Sequence, residues 1–317
     1  MKKALFVGIN YYNTPSARLN GCINDINNTE NILITKYGYS ANNITKLHDA
    51  PGGDLNFLPT KVAIISELTK LIANSANCSE IWFHYSGHGA QVRDKNTDEA
   101  DGLDEVIVPC DYLRTGFITD DEIFNIIKKA ACKTILIFDS CHSESICDLQ
   151  WGFGSVNGAY VRKTNSRKAI SYALINCLSG CKDNQTSADT YNSETKQGVG
   201  AFTDTMLTCL KELNYKTNIL NLHKRICQVI QKNGYTQMPM LSASSYAPTY
   251  DFSPVTVSDG TPAVQVTIAK PVTPVKQSTT AIIQQQMSMI TGMSVKPAPA
   301  KKYIDSSTQN VLFKLNL

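Results

Sequence analysis

Thr134-Ile135-Leu136-Ile137-Phe138-Asp139-Ser140-Cys141-His142-Ser143 is the stretch from which the rest of this chain is laid out. An apolar run of strand length breaks off at Asp139, so the residues behind it surface where a buried strand leaves a sheet. Cys141 sits at that edge. Glu80 to Ser86, Glu-Ile-Trp-Phe-His-Tyr-Ser, has the same form and runs into Gly87-His88-Gly89. In parallel α/β sheets chemistry gathers outside the carboxyl ends of the strands. If these two strands are neighbours, Cys141 and His88 face each other.

Outward from these stretches, short apolar strands alternate with amphipathic helices. Residues 4–9 read as a first strand, and Gly21 to Tyr37 as a helix with Ile23, Ile26, Leu33 and Ile34 turned inward and Gly38 as its stop. Asn43 to Leu47 is a short strand, and Thr60 caps a helix with Val62, Ile65, Leu68, Leu71 and Ile72 at helical spacing. A polar, carboxylate-rich loop over 94–104 precedes a strand at 105–109. Thr119-Asp120-Asp121-Glu122 has the form of a capping box and opens a helix expected to run through Ala131.

Beyond Ser143, residues 144–168 read as a loop ending in the basic cluster Arg162, Lys163, Arg167 and Lys168. Gly152-x-Gly154 follows no predicted strand and opens no helix, which excludes a phosphate loop. A strand at 169–176, a polar loop at 178–198, helices over Ala201 to Leu213 and Ile219 to Asn233 and a strand at 237–241 complete the pattern. The βαβα order implies an α/β fold, a mostly parallel sheet with helices on both faces, as one domain over residues 1–252. Residues 253–317 change to Pro, Thr, Val, Lys and Gln without sustained period. They read as a flexible tail, with a small docking element expected in Val311 to Leu317.

With 30 basic against 27 acidic residues the formal charge is +3, and no basic run is interleaved with aromatics, which argues against nucleic acid as a partner. The apolar start after Lys2-Lys3 stops at Ile9, too short for a signal peptide, and nothing approaches the roughly 20 apolar residues of a membrane span. Ten cysteines in 317 residues lack the density of a disulfide scaffold and include no paired Cys-x-x-Cys. A reducing, cytoplasmic setting is expected, with most thiols acting as small buried apolar groups.

Cys141 therefore needs independent support, and histidine supplies it. A thiol attacks as the thiolate, and a nearby imidazole can take its proton. Of the five histidines, His48, His84 and His223 fit structural or surface roles, and His142 adjoins Cys141 on an extended chain, where neighbours point apart. His88 remains, 53 residues before Cys141. His84-Tyr85-Ser86-Gly87-His88-Gly89 followed by Asp139-Ser140-Cys141-His142-Ser143 resembles the metacaspase family, type I-like, within the caspase-like cysteine peptidases. Gly21-Cys22-Ile23-Asn24-Asp25, Asp101-Gly102-Leu103-Asp104-Glu105 and the segment from Ser179-Gly180-Cys181 to Asp189 add three motifs in order, so the resemblance spans about residues 3–250.

The resemblance implies a Ca²⁺-dependent cysteine endopeptidase cutting after Arg or Lys, with Cys141 as nucleophile and His88 as general base and then acid. The N–H groups of Gly89 and Cys141 would form the oxyanion hole, and Asp25, Ser86 and Asp139 an acidic S1 pocket for a guanidinium or ammonium group. Without it, Asp25 fits a helix first turn and Asp139 a strand end. It further implies a Ca²⁺ site at Asp104, Asp120, Asp121 and Asp148, a hard-oxygen set; Asp120 and Asp121 otherwise cap their helix. Self-cleavage is expected at Arg162, Lys163, Arg167 or Lys168, which equally suit a solvated surface cluster. Glu144 stands where most relatives carry glycine, an alteration at the mouth of the site.

The expected partners are protein or peptide substrates with a basic P1 residue, met by a monomer. The rival is a catalytically weak or inactive caspase-fold protein acting as a binding or regulatory module. A caspase-type enzyme cutting after Asp needs basic S1 residues that are not found, and a serine hydrolase needs a Gly-x-Ser-x-Gly elbow that is absent.

Overall fold

The structure, a computed structural model, describes residues 1–93, 102–141, 143, 145–156, 159–164, 174–180, 189–192 and 197–255. In chain order these form β1 (Lys2–Gly8), α1 (Cys22–Tyr37), β2 (Ile44–His48), α2 (Lys61–Ala73), β3 (Glu80–Ser86), β4 (Gly89–Arg93), β5 (Leu103–Ile107), α3 (Tyr112–Thr115), β6 (Ile118–Thr119), α4 (Asp120–Ile127) and β7 (Lys133–Asp139). There follow β8 (Trp151–Val156), β9 (Ala159–Thr164), β10 (Ile175–Ser179), β11 (Asp189–Asn192), β12 (Gln197–Gly200), α5 (Ala201–Glu212), β13 (Thr217–Asn218), α6 (Ile219–Lys232), β14 (Met240–Ala243) and β15 (Asp251–Phe252).

An eight-stranded sheet in the order β2-β1-β3-β7-β10-β14-β8-β9 forms the centre. From β2 to β10 every neighbour is parallel, and β14, β8 and β9 complete the sheet antiparallel. The period-two alternation of side chains sorts the core by face. Leu5, Val7, Ile81, Phe83, Leu136 and Phe138 pack under Ile64, Leu68 and Leu71 of α2 and Ile123 and Ile127 of α4. Their neighbours Ala4, Phe6, Trp82, Ile135 and Ile137 pack under Ile26 and Leu33 of α1, Phe202 and Met206 of α5 and Leu222 and Ile226 of α6. Both faces are covered, so β3 and β7 can be apolar along their length. Among the described residues, no helix is long and apolar enough to cross a membrane.

Several boundaries differ from the sequence expectations. Residues 144–168 are not a loop throughout: β8 and β9 form an antiparallel hairpin with Gly152 opposite Lys163 and Phe153 opposite Arg162. Arg162 and Lys163 thus lie on an edge strand, while Arg167 and Lys168 fall outside the described residues. Asp104 belongs to β5 rather than to the preceding loop, and β5 pairs with β4, a strand not foreseen. The last sheet strand is 240–243 and antiparallel, and β10 begins at Ile175.

Helix α4 carries both bonds of its capping box but ends at Ile127, because Lys129 and Ala130 bond back three residues to Ile126 and Ile127 and tighten the last turn. Val62 is 73% exposed, with Ile64 taking the inward place on α2. On α1, Ile23 and Ile34 are half-buried, and the inward stripe is Cys22, Asp25, Ile26, Thr29, Leu33 and Tyr37. The expected tail element at Val311 to Leu317 lies outside the described residues.

Candidate active site

Parallel pairing of β3 with β7 sets Ser86 opposite Asp139 at the carboxyl ends of the two strands. The ladder closes with the Gly87 N–H donating to the Asp139 carbonyl at 3.2 Å. His88 and Cys141 each follow two residues later, both half-buried, where the neighbouring strands open. Gly89 presses on the nucleophile segment: a Cβ there would overlap the Cys141 carbonyl oxygen. Glycine at this position is required by the approach of the two segments themselves, a nearer cause than room for a substrate.

The imidazole of His88 is oriented from the turn after β1. Its Nε2 lies 2.8 Å from the Ala17 carbonyl oxygen. A carbonyl only accepts, so a neutral ring carries its proton on Nε2, and Nδ1 is the basic nitrogen. One face of the ring lies against Tyr11, with centroids 4.7 Å apart.

Asp25, Ser86 and Asp139, far apart in sequence, are brought together and buried. The Ser86 hydroxyl donates to Asp25 Oδ2 at 2.7 Å, and Gly200 N–H donates to Asp25 Oδ1 at 2.9 Å. Thr203 N–H donates to Asp139 Oδ2 at 2.9 Å. Both carboxylates therefore meet the N-terminal end of α5, whose N–H groups and dipole favour negative charge. These neutral donors hold the two carboxyl groups in place. Asp25 does sit in the first turn of α1, as a structural role would require, but its side chain serves α5 and Ser86.

A second acidic group lies on β5 and the first turn of α4. Asp104, Asp120 and Asp121 each offer an oxygen within 4.8 Å of the others. Asp120 is pushed up to about 9, by burial first and then by the charges of Asp148 and Glu105, although the N–H groups of Asp121 and Glu105 donate to it. Asp148 has φ of 48°, a left-handed turn that aspartate tolerates better than most residues. Its N–H donates to the Ser145 carbonyl, and the Ser145 hydroxyl donates to Glu105. Three of the four carboxylates expected for a cation, Asp104, Asp120 and Asp121, are thus grouped, while Asp148 is linked to them through its charge on Asp120; hard oxygens suit Ca²⁺. Glu144 lies outside the described residues.

A family model for the metacaspase peptidase C14 domain matches residues 2–150, the span from β1 through His88, Cys141 and Asp148. Metacaspase-1 of Meyerozyma guilliermondii is 34% identical over 292 residues, covering 77% of this chain and 69% of that protein. Metacaspase-1 of Schizosaccharomyces pombe is 33% identical over 291 residues, covering 77% and 67%.

The chain belongs to the metacaspase family.

As a metacaspase it is a member of a family of cysteine peptidases. Its fold is also seen in a solved protein structure from Geobacter sulfurreducens, with a TM-score of 0.55, 23% identity and coverage of 78% of this chain and 94% of that one. Four parts of this metacaspase site escaped the sequence: Tyr11, the Ala17 carbonyl, Gly200 and Thr203. Tyr11 follows the end of β1, the parallel neighbour of β3, so the strand-end rule that singled out His88 and Cys141 also covered it. Nothing local marked Gly200 or Thr203, since their partners are more than 60 residues away in the chain.

Proposed function

We propose that this chain is a Ca²⁺-activated cysteine endopeptidase that cleaves after Arg or Lys, with Cys141 and His88 as its catalytic pair. The observation that supports it most is the register of Ser86 with Asp139, which delivers His88 and Cys141 to adjoining strand ends. In this mechanism Nδ1 of His88 takes the Cys141 proton and the thiolate attacks the scissile carbonyl carbon. The Gly89 and Cys141 N–H groups receive the oxyanion as it forms. The imidazolium then gives its proton to the leaving amine as the C–N bond breaks, leaving a thioester. Water, deprotonated by the neutral imidazole, hydrolyses the thioester and regenerates the thiol. Such proton transfer is worth about 10² to 10⁴ in rate.

Specificity follows from the paired carboxylates. A P1 guanidinium or ammonium would meet Asp25 and Asp139 with charge-assisted hydrogen bonds. Asp104, Asp120, Asp121 and Asp148 would hold Ca²⁺, which supplies the positive charge that this buried acidic group calls for. Glu105, the neighbour of Asp104, takes the Ser145 hydroxyl, which links this acidic group to the chain between Cys141 and Asp148. The cysteine usage of the sequence is the ground for a reducing, cytoplasmic setting.

The test compares the protein with Cys141→Ala on Arg, Lys and Asp reporter peptides, with Ca²⁺ and with chelator. Ca²⁺-dependent cleavage of the Arg and Lys peptides, lost in Cys141→Ala, is the expected result. Activity that survives Cys141→Ala overturns the mechanism, and no turnover of any peptide favours a binding module.

A further inference from the structure

The main chain of His88 lies between the end of β3 and the start of β4, held by two phenols and, on its carbonyl side, by the Val108 N–H at 3.2 Å. Its N–H donates to Tyr11 Oη at 2.9 Å, and its carbonyl accepts from Tyr85 Oη at 2.7 Å. Tyr11 Oη gives its own proton to the Val108 carbonyl at 2.7 Å, and the two hydroxyls lie 3.2 Å apart. Each phenol has one proton to give, and this assignment uses both: Tyr11 to Val108, Tyr85 to His88. Tyr11 and Tyr85 are buried, so water does not compete for these bonds.

Room for the pair is made by Gly87, where a Cβ would stand 2.6 Å from the hydroxyl oxygen of Tyr85 and 3.1 Å from that of Tyr11. The Gly-His-Gly sequence therefore has two separate steric causes, the phenols before His88 and the Cys141 carbonyl after it. Tyr11 itself has φ of 54°, in the left-handed region, where a bulky aromatic residue is an outlier. That twist turns its side chain from the end of β1 across to the end of β3. The same turn continues to Ala17, whose carbonyl meets Nε2, and it is closed by the Leu19 N–H on the Asn10 carbonyl. One segment thus supports the ring face, the far nitrogen and the backbone N–H of a single histidine.

We propose that Tyr11 is a positioning residue for His88, its hydroxyl fixing the histidine main chain and its ring bracing the imidazole, with Tyr85 holding the carbonyl side. This rests on the Cys141–His88 mechanism above. Tyr11 moves no proton in that mechanism; it acts by keeping Nδ1 where a thiol proton can be collected. Burial, with Tyr85 close by, raises the Tyr11 hydroxyl well above the ordinary phenol range, so it remains a protonated donor across the working pH. A displacement of about 1 Å at a reacting centre costs on the order of 10² in rate, and the N–H side of His88, in the two-residue turn between β3 and β4, is held by the Tyr11 hydroxyl.

The experiment uses the full chain with Ca²⁺, comparing Tyr11→Phe, which keeps the ring and loses the hydroxyl, with Tyr11→Leu, which loses both. Each is measured per active site titrated, alongside thermal unfolding and iodoacetamide alkylation of Cys141 at neutral pH. The expected result is a graded fall in kcat, about 10-fold for Phe and on the order of 10² for Leu. KM should stay within about twofold and alkylation should slow in the same order. A purely structural role would instead lower the active-site titre and the melting temperature together, with kcat per titrated site unchanged, and that result overturns the proposal. If Tyr11→Phe does not fold, Tyr85→Phe carries the same test through the His88 carbonyl. Loss of activity in Cys141→Ala with Tyr11→Phe unaltered refutes this inference alone; activity surviving Cys141→Ala refutes the mechanism beneath it.

Discussion

The backbone of Gly200 lies so close to Asp139 that a Cβ would overlap its carboxylate, and the same atom would come within 2.9 Å of Asp25 Oδ2. The start of α5 therefore threads between the two acids, giving Asp25 a hydrogen bond from Gly200 itself and Asp139 one from Thr203. Gly200→Ala must move at least one carboxylate. We expect a drop of 10-fold or more in kcat/KM on Arg peptides, on the scale of a roughly 1 Å misplacement. Cys141 alkylation should be preserved, because the change lies in the pocket and not at the thiol. Equal turnover of the Arg peptide by Gly200→Ala would show that the carboxylates do not form the pocket.

Asp25→Asn keeps the shape of the side chain and its acceptance from Gly200, reverses the bond to Ser86, whose hydroxyl then accepts, and removes a carboxylate from the pocket. A hydrogen bond to a charged group is worth about 1.5–3 kcal/mol. The Arg peptide should therefore lose roughly 10- to 100-fold in kcat/KM, with a neutral P1 peptide little affected. Ratios of kcat/KM for the two peptides, wild type against variant, give the answer directly. A parallel loss on both peptides would assign Asp25 to the support of α5 alone.

Sequence legibility followed how local the cause was. The ends of β3 and β7 were legible because an apolar run stops at a polar residue, and the α4 start because Thr119 and Glu122 satisfy each other within one turn. β8 was missed because Trp151-Gly152-Phe153-Gly154 alternates aromatics with glycines, which have no side chain to signal a strand; its order comes from Met240 to Ala243 far along the chain. In the site, residue identity was legible at strand ends. The supports were not, since a carbonyl such as that of Ala17 has no sequence signature, and Tyr11 acts through a backbone twist that its residue type disfavours.

The acidic group around Asp120 predicts a metal response that needs no turnover. Ca²⁺ at 100 times its dissociation constant stabilises a folded protein by about 2.7 kcal/mol. Differential scanning fluorimetry should show a melting temperature that climbs with Ca²⁺ in the wild type. Asp148→Asn and Asp104→Asn should lose most of that climb. An unchanged Ca²⁺ response in both variants would remove these residues from the site.

His84 and His223 give stability a defined pH dependence. Burial lowers them to about 3 and about 4, and both are fully inside the core. In the unfolded chain each takes a proton near pH 6.5, whereas the folded chain refuses it until the lower value. Stability is therefore full above about pH 6.5 and falls with pH toward 4, each histidine adding up to about 1.4 kcal/mol per pH unit to the slope. His223 Nε2 donates to the Pro239 carbonyl and, in the neutral ring, Nδ1 accepts from the Tyr160 hydroxyl, each at 2.9 Å, and glutamine can partly replace those bonds. Urea unfolding at pH 7 and pH 5 should show a smaller pH-induced loss for His223→Gln than for the wild type; an identical loss would mean that His223 is protonated in the fold.

Arg162 and Lys163 were expected to offer self-cleavage sites on a loop, but each is paired across to β8. The Arg162 guanidinium lies 3.3 Å from the centroid of the Tyr246 ring, which in turn meets Trp151 edge-on at 5.0 Å. A peptidase takes its substrate as a free extended strand, so cutting at Arg162 first requires β9 to leave the sheet edge and break this stack. Exposed cation–π contacts are worth about 0.5–1 kcal/mol, and the strand ladder adds to that. Self-processing after Ca²⁺ addition should therefore proceed at Arg167 or Lys168 rather than at Arg162 or Lys163. Arg162→Gln should leave the fragment pattern unchanged while lowering the melting temperature by a few degrees at most. Mass spectrometry of the new N-termini decides it: a fragment that begins at Lys163 would show that β9 opens within reach of a catalytic centre.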